Sequence, residues 1–424
     1  MSRRLVDSGV EWIGKMPANW KLRRIGNLFE QRSEKVSDIE YEPLSVTKNG
    51  IVKQLATAAK SNDHTNRKKV CLNDFVINSR SDRKMSSGVS PLEGSVSLIN
   101  IVLHSTDMDP SFVNYLLKNY GFAEEFYRWG TGIVEDLWST NYSRMKKILI
   151  PIPSLEEQKK IANLLEDKVS KINNITEKLK LSIEELKKYK QSLITETVTK
   201  GLDPNVEMKN SETSYIGDIP FNWNISRIRY LGFLQNGISK SGEYFGSGHP
   251  FVSYSDVYKN IELPKNVDGL VESTNEERER YSVRKGDVFF TRTSETIQEV
   301  GFASTCMEEV PGAVFAGFVI RFRPETQELN PAYAKYYFRS EIHRKFFVKE
   351  MNIVTRASLS QGLLKRLPVL LPSQEEQREI SQFLDEKCYH IDSLIEKKQK
   401  IIAEMESYKK SLIYEYVTGK KEVV

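Results

Sequence analysis

Two blocks of sequence recur in the same order along this chain, and no other feature limits its fold as strongly. Trp12-Ile13-Gly14, Pro17 and Trp20 return 203 residues later as Tyr215-Ile216-Gly217, Pro220 and Trp223. Pro153-Ser154, Glu156-Glu157-Gln158 and Ile161 return 219 residues later as Pro372-Ser373, Glu375-Glu376-Gln377 and Ile380. The same 219 offset carries Tyr189-Lys190, Ser192-Leu193-Ile194, Glu196 and Val198-Thr199 onto Tyr408-Lys409, Ser411-Leu412-Ile413, Glu415 and Val417-Thr418. Since the offset grows from 203 to 219, the second globular part is 16 residues longer than the first. The chain is a tandem duplication of a globular part followed by a long helix.

Each Pro-Ser-x-Glu-Glu-Gln block reads as a helix start. Ser154 and Ser373 stand at the cap, and Glu157 and Glu376 follow at capping-box spacing, where acidic side chains suit the helix dipole. A heptad comes next. It is marked by Ile172, Ile175, Leu179, Ser182, Leu186, Tyr189 and Leu193, then by Ile391, Leu394, Lys398, Ile401, Met405, Tyr408 and Leu412. Six of seven are apolar in each copy, and Lys and Glu fill the other faces. One alternative is a helix lying on its own globular domain. A seam of roughly 45 residues, about 68 Å at 1.5 Å per residue, is too long for one small domain to cover. The two helices are therefore expected to pack on each other as a coiled coil, and an antiparallel pairing would place the globular parts at opposite ends of a rod.

The globular parts mix strand and helix patterns, an α+β class whose topology the sequence leaves open. Asp74-Phe75-Val76-Ile77-Asn78-Ser79-Arg80 and Asp287-Val288-Phe289-Phe290-Thr291-Arg292-Thr293, 213 apart, are strand-like runs ending in hydroxyl and Arg residues. Val314 to Ile320 reads as a further strand. Between residues 67 and 84 lie Arg67, Lys68, Lys69, Arg80, Arg83 and Lys84 against only Asp74 and Asp82, a local excess that the net +5 conceals. Lys48, these six cations and Ser79 are candidate DNA contacts, with Arg able to fork onto guanine and Lys onto phosphate. In the second part the candidates are Ser239 and Lys240 in the Gly-rich stretch 236–242, Ser253, Tyr254, Thr291, Arg292, Thr293 and Ser294, with Thr296 and Gln298 completing the tip. Plain solvated loops are the alternative.

Catalytic motifs fail on inspection. Asn330-Pro331-Ala332-Tyr333 approaches the Asn-Pro-Pro-Tyr site of amino-methyltransferases, but the other copy has Asp109-Pro110-Ser111-Phe112, so both read as helix starts. No P-loop or G-x-G-x-x-G fingerprint is present, and Asp385-Glu386-Lys387 falls within the second heptad helix. Five scattered histidines offer no metal spacing, and no cofactor is expected. Three distant cysteines, no run of ~18 apolar residues and no apolar segment behind Met1-Ser2-Arg3-Arg4-Leu5 fit a reducing cytoplasm and no membrane span.

With the Trp-Ile-Gly-x-x-Pro-x-x-Trp openings, the Pro-Ser-x-Glu-Glu-Gln starts and the paired heptads, the chain resembles the specificity subunit of a Type I restriction-modification enzyme from about Val10 to Lys420. The resemblance implies a non-catalytic subunit. Its expected plan is two pseudo-symmetric target-recognition domains (1–153 and 213–371), a central helix (154–200), a linker (201–212), a distal helix (372–418) and a tail (419–424). Each domain would read one half of a bipartite double-stranded DNA site, and the helices would set the spacer. Two methyltransferase subunits and restriction subunits would dock on them. A stand-alone coiled-coil DNA-binding scaffold, such as a repressor, is the competing reading.

Overall fold

The computed structural model describes residues 3–57, 64–132, 138–294, 300–350 and 357–423. Two compact units emerge, one of Met1–Lys180 with Gln399–Val424 and one of Leu181–Lys398. Their boundaries fall inside the two long helices, the central helix Leu155–Lys200 and the distal helix Gln374–Val417. Each unit thus holds one globular part, the first half of the helix that follows it and the last half of the helix from the other copy. Neither helix contains Gly or Pro, so nothing interrupts them internally.

The same sheet is built twice. In the first unit the antiparallel order is Ser87–Val89, Phe75–Asn78, Asn100–His104, Glu30–Gln31. In the second it is Ala303–Thr305, Val288–Thr291, Val319–Pro324, Gly232–Asn236. A three-stranded sheet accompanies each, and Lys21–Arg24 with Leu149–Ile152 matches Asn224–Arg227 with Pro368–Leu371. Helices open at Asp109 and Asn330, whose side chains accept from the N–H of Phe112 and Ala332, with Pro at the first helical position. Asn330-Pro331-Ala332-Tyr333 is a capped helix start. Asp385 is likewise structural, pairing with Lys335 at 2.6 Å and accepting from the Tyr336 hydroxyl.

The repeated motif has a definite job in each unit. Ser154 and Ser373 cap the helices, accepting from the N–H of Glu157 and Glu376 at 3.3 and 3.1 Å. The glutamate carboxylates are taken by tryptophan: Trp20 donates to Glu157 at 3.0 Å and Trp223 to Glu376 at 2.9 Å. Buried Gln158 and Gln377 accept from the N–H of Asp109 and Asn330, tying each long helix to the Asx-Pro helix of its domain. Onto the same tryptophans come the helix ends from the other copy. Gly201 (φ +76°) lies against Trp223, and Gly419 (φ +73°) lies against Pro17 and Trp20. A Cβ at Gly419 would stand 2.4 Å from Pro17 Cδ, so glycine meets both the left-handed backbone and the close approach. Ile194 and Val198 join the second unit's core, and Leu412 and Val417 join the first's.

The helices pair antiparallel within each unit, but on a different seam from the one the heptad count predicts. Lys409 donates to Asn173 at 3.0 Å in the first unit, and Lys190 pairs with Asp392 at 2.6 Å in the second. Ile172 and Ile391 are buried, Leu412 is buried, and Leu179, Leu186, Leu193 and Met405 are half-buried, as expected. Ile175, Tyr189, Leu394, Ile401 and Tyr408 are exposed instead. The positions one residue later face inward: Thr176, Ile183 and Lys190, then Ile395, Ile402 and Lys409. The physical reason is that polar residues are satisfied within the seam. Thr176 bonds the Ile172 carbonyl at 2.9 Å, and the two lysines reach partners on the facing helix.

Replacing Ile183 with Ala should therefore cost about 2–5 kcal/mol, whereas Tyr189→Ala should stay within about 0.5 kcal/mol. Chemical denaturation of the full chain distinguishes the two, and equal losses would mean that the seam is misassigned.

Candidate nucleic-acid interface

In the first unit, Phe75–Asn78 feeds a turn at Ser79–Lys84 that carries Arg80, Arg83 and Lys84, three of the seven candidate cations of this part. The backbone of that turn is fixed: Thr140 N–H donates to Ser79 O at 3.0 Å, Ser81 N–H to Trp138 O at 2.9 Å, and the Tyr127 hydroxyl to Asn78 O at 3.0 Å. Arg80 and Arg83 share Asp82 at 3.0 and 3.6 Å, and their side chains are 40% and 68% exposed. Exposed pairs of this kind contribute only about 0–1 kcal/mol, so a phosphate can displace them. Lys84 pairs with Glu124 and lies over the Tyr120 ring.

The remaining cations are not part of that surface, which corrects the charge count. Arg67 is only 7% exposed; it donates to Ser95 Oγ at 2.8 Å and to the Ser95 carbonyl, and burial lowers its pKa. Lys68 is spent on the Asn100 carbonyl at 2.7 Å, and burial lowers its pKa too. Lys69 pairs with Glu34 and lies over Tyr41. All three sit on the strand Arg67–Val70, where alternation sends them to structural partners. Ser79 is buried and accepts from Ser139. Lys48 is exposed in the turn between Leu44–Thr47 and Gly50–Lys53.

The second unit gathers its predicted loops onto one face. The run from Val314 to Ile320 is two strands, Val314–Phe315 and Val319–Pro324, broken by a turn at Gly317-Phe318. Ile238 N–H donates to Phe315 O at 2.9 Å, bringing the Gly-rich loop and exposed Ser239 beside that turn. Arg292 N–H donates to Phe318 O at 2.9 Å, Leu359 N–H donates to Arg292 O at 2.7 Å, and the Tyr254 hydroxyl donates to Thr293 O at 2.9 Å. Ser239, Tyr254, Arg292, Thr293 and Phe318 thus form one locally braced cluster. The Arg292 guanidinium makes no ion pair among the described residues, unlike Arg80 and Arg83. Sequence reading missed Phe318, whose signal was a glycine inside an apolar run.

Other candidates here do structural work. Thr291 is fully buried and accepts from the Phe302 N–H. Ser253 closes a capping box with Asp256, and Lys240 is held by Glu277 and the Glu272 carbonyl, both at 2.7 Å. The backbone of Ser294 pairs with Ala357, whereas Thr296 and Gln298 lie outside the described residues. Among the described residues no group of His, Cys, Asp and Glu could hold a metal, and no helix is long and apolar enough to cross a membrane.

Comparison with known proteins now adds a family. The model of the Type I restriction modification DNA specificity domain matches residues 110–185 and 220–406. The chain assigned as the MjaX type I restriction enzyme specificity subunit of Methanocaldococcus jannaschii is 24% identical, over 97% of this chain and 96% of that one. The EcoKI specificity subunit of Escherichia coli is also 24% identical, over 65% of this chain and 57% of its own length. Among solved structures, a chain of a type I R-M system superposes with a TM-score of 0.74 at 14% identity, covering 96% of this chain and 99% of that one. The HsdS subunit of Thermoanaerobacter tengcongensis gives 0.53 at 17% identity, covering 96% and 98%. With the duplicated sheets, the two long helices and the loop clusters already described, these matches place the chain in the family of Type I restriction-modification DNA specificity proteins.

Proposed function

We propose that this chain is the DNA-specificity subunit of a Type I restriction-modification complex, each globular part reading one half of a bipartite site for catalytic partners. The observation that carries the reading is the contrast within the duplication. The helix starts, the helix ends and their Trp–Glu–Gln ties recur in both copies, while the register-equivalent loop tips differ: Ser79 lies where Arg292 lies. A scaffold used twice with two unlike reading surfaces suits an asymmetric DNA site. Recognition rests on Arg80, Arg83 and Lys84 in the first half and Arg292, Thr293, Ser239 and Tyr254 in the second. The long helices set the distance between the half-sites.

The apolar row outside the seam supports the partners. Ile175, Ile401 and Tyr408 are exposed in the first unit, and Leu181, Tyr189 and Leu394 in the second. Ile175 and Tyr189 are the repeat equivalents of Leu394 and Tyr408. Two like surfaces suit two copies of one methyltransferase subunit, with restriction subunits joining the complex. No membrane enters this reading, and the setting is the cytoplasm, where such a complex meets DNA.

Expression with its methyltransferase partner should produce adenine methylation in one bipartite motif, read by sequencing modified bases. A genome without any new methylated motif would refute the assignment. Leu394→Asp with Tyr408→Asp should abolish co-purification of the methyltransferase without unfolding the chain; an intact complex would place the partner elsewhere. Arg83→Ala and Arg292→Ala should weaken DNA binding at unchanged stability, whereas Arg67→Ala should lower stability. A loss of about 1–3 kcal/mol confined to one base identifies base reading, and a uniform loss identifies a phosphate contact.

A further inference from the structure

The turn at Gly317-Phe318 is built to hold an aromatic side chain out of the protein. Phe318 is 65% exposed, although the strand residues on either side of the turn, Val314, Phe315 and Val319 to Phe322, are buried. Its backbone is held from several directions. Val319 N–H closes the turn onto Ala316 O at 2.9 Å, Ala316 N–H donates to Val252 O at 3.0 Å, and Phe318 O accepts from Arg292. A Cβ at Gly317 would stand 2.3 Å from Ser239 Oγ and 2.9 Å from Ile238 O, so the turn cannot carry its side chain one residue earlier. Nothing in the unit's own core calls for a ring at this position. The ring therefore stands on a fixed backbone and loses little freedom on binding. Arg292 bonds the backbone of the turn, exposed Ser239 lies against Gly317, and Thr293 follows Arg292 along the strand, groups suited to phosphate and sugar.

The first unit carries apolar residues in the equivalent turn. Asn100 opposes Asn78 there as Val319 opposes Thr291 here, which makes the turn at Leu98-Ile99 the counterpart of Gly317-Phe318. Leu98 is exposed. Two copies that diverged elsewhere at their tips both keep an apolar residue at this turn. Phe and Leu are among the residues that proteins push between base steps to unstack and bend DNA.

We propose that Phe318 is a wedge that enters the base stack of the half-site read by the second unit, with the apolar turn Leu98-Ile99 its smaller counterpart in the first. This rests on the DNA-specificity reading above and goes further, because it assigns specificity to the deformability of the step that is opened as well as to hydrogen bonds. Flexible pyrimidine–purine steps are the expected target.

The test uses the full chain bound to its methyltransferase partner and duplexes carrying 2-aminopurine at successive positions of the second half-site. Wild type should raise the fluorescence at one step. Phe318→Ala should abolish that rise and weaken binding roughly 5- to 150-fold, the range spanned by stacking of one aromatic, while Phe318→Leu should retain part of both. No rise at any step with DNA still bound, or a rise unchanged in Phe318→Ala, would overturn the wedge and leave DNA recognition intact. Loss of methyltransferase co-purification in Phe318→Ala, with DNA affinity unaltered, would overturn it in favour of a protein contact. Failure of wild type to bind any DNA would instead refute the specificity reading itself.

Discussion

Each compact unit depends on a helix end that the chain delivers from its other copy. Trp20 and Trp223 are the meeting points: the indole donates to a glutamate at the start of one long helix, and the glycine that ends the other helix packs on the same ring. Neither globular part can complete its core with the helix that follows it alone, because Leu412 and Val417 belong to the first core and Ile194 and Val198 to the second. The helices must therefore pair antiparallel and keep a fixed register for either domain to be whole. Antiparallel pairing of the helices and completion of each core are the same contact.

The seam shows what the sequence could and could not convey. Duplication, helix starts, Asx-Pro caps and the long uninterrupted helices were legible because each rests on local chemistry at fixed spacing. The seam itself was misplaced by one residue at alternate positions. Counting apolar residues favours Ile175, Tyr189, Leu394, Ile401 and Tyr408, since their neighbours include Thr176, Lys190 and Lys409. Those polar neighbours face inward because partners on the facing helix, or a carbonyl one turn back, satisfy them. Polar pairs between facing helices favour one register. The displaced apolar residues become a surface that remains to be covered.

At the reading face, composition overstated what is available. Charge density along residues 67–84 is real, but the alternation of a strand sends Arg67 and Lys68 to carbonyl and hydroxyl partners that no linear count reveals. Half of the cluster is architecture. Conversely, Phe318 carries no charge and no motif, and only the break at Gly317 distinguishes it from a buried strand residue. Arg292 was found from sequence because it ends a strand, but its place beside Phe318 and Ser239 depends on long-range pairing that brings residues 238, 292 and 318 together.

Under the proposed function the two long helices are a ruler. Deleting one matched heptad from both removes about 10 Å at 1.5 Å per residue, the length of about three base pairs. Mapping methylated adenines in cells carrying that variant and its methyltransferase partner should show the same two half-sites with a shorter spacer. An unchanged spacer, or altered bases within either half-site, would contradict the separation of spacing from reading.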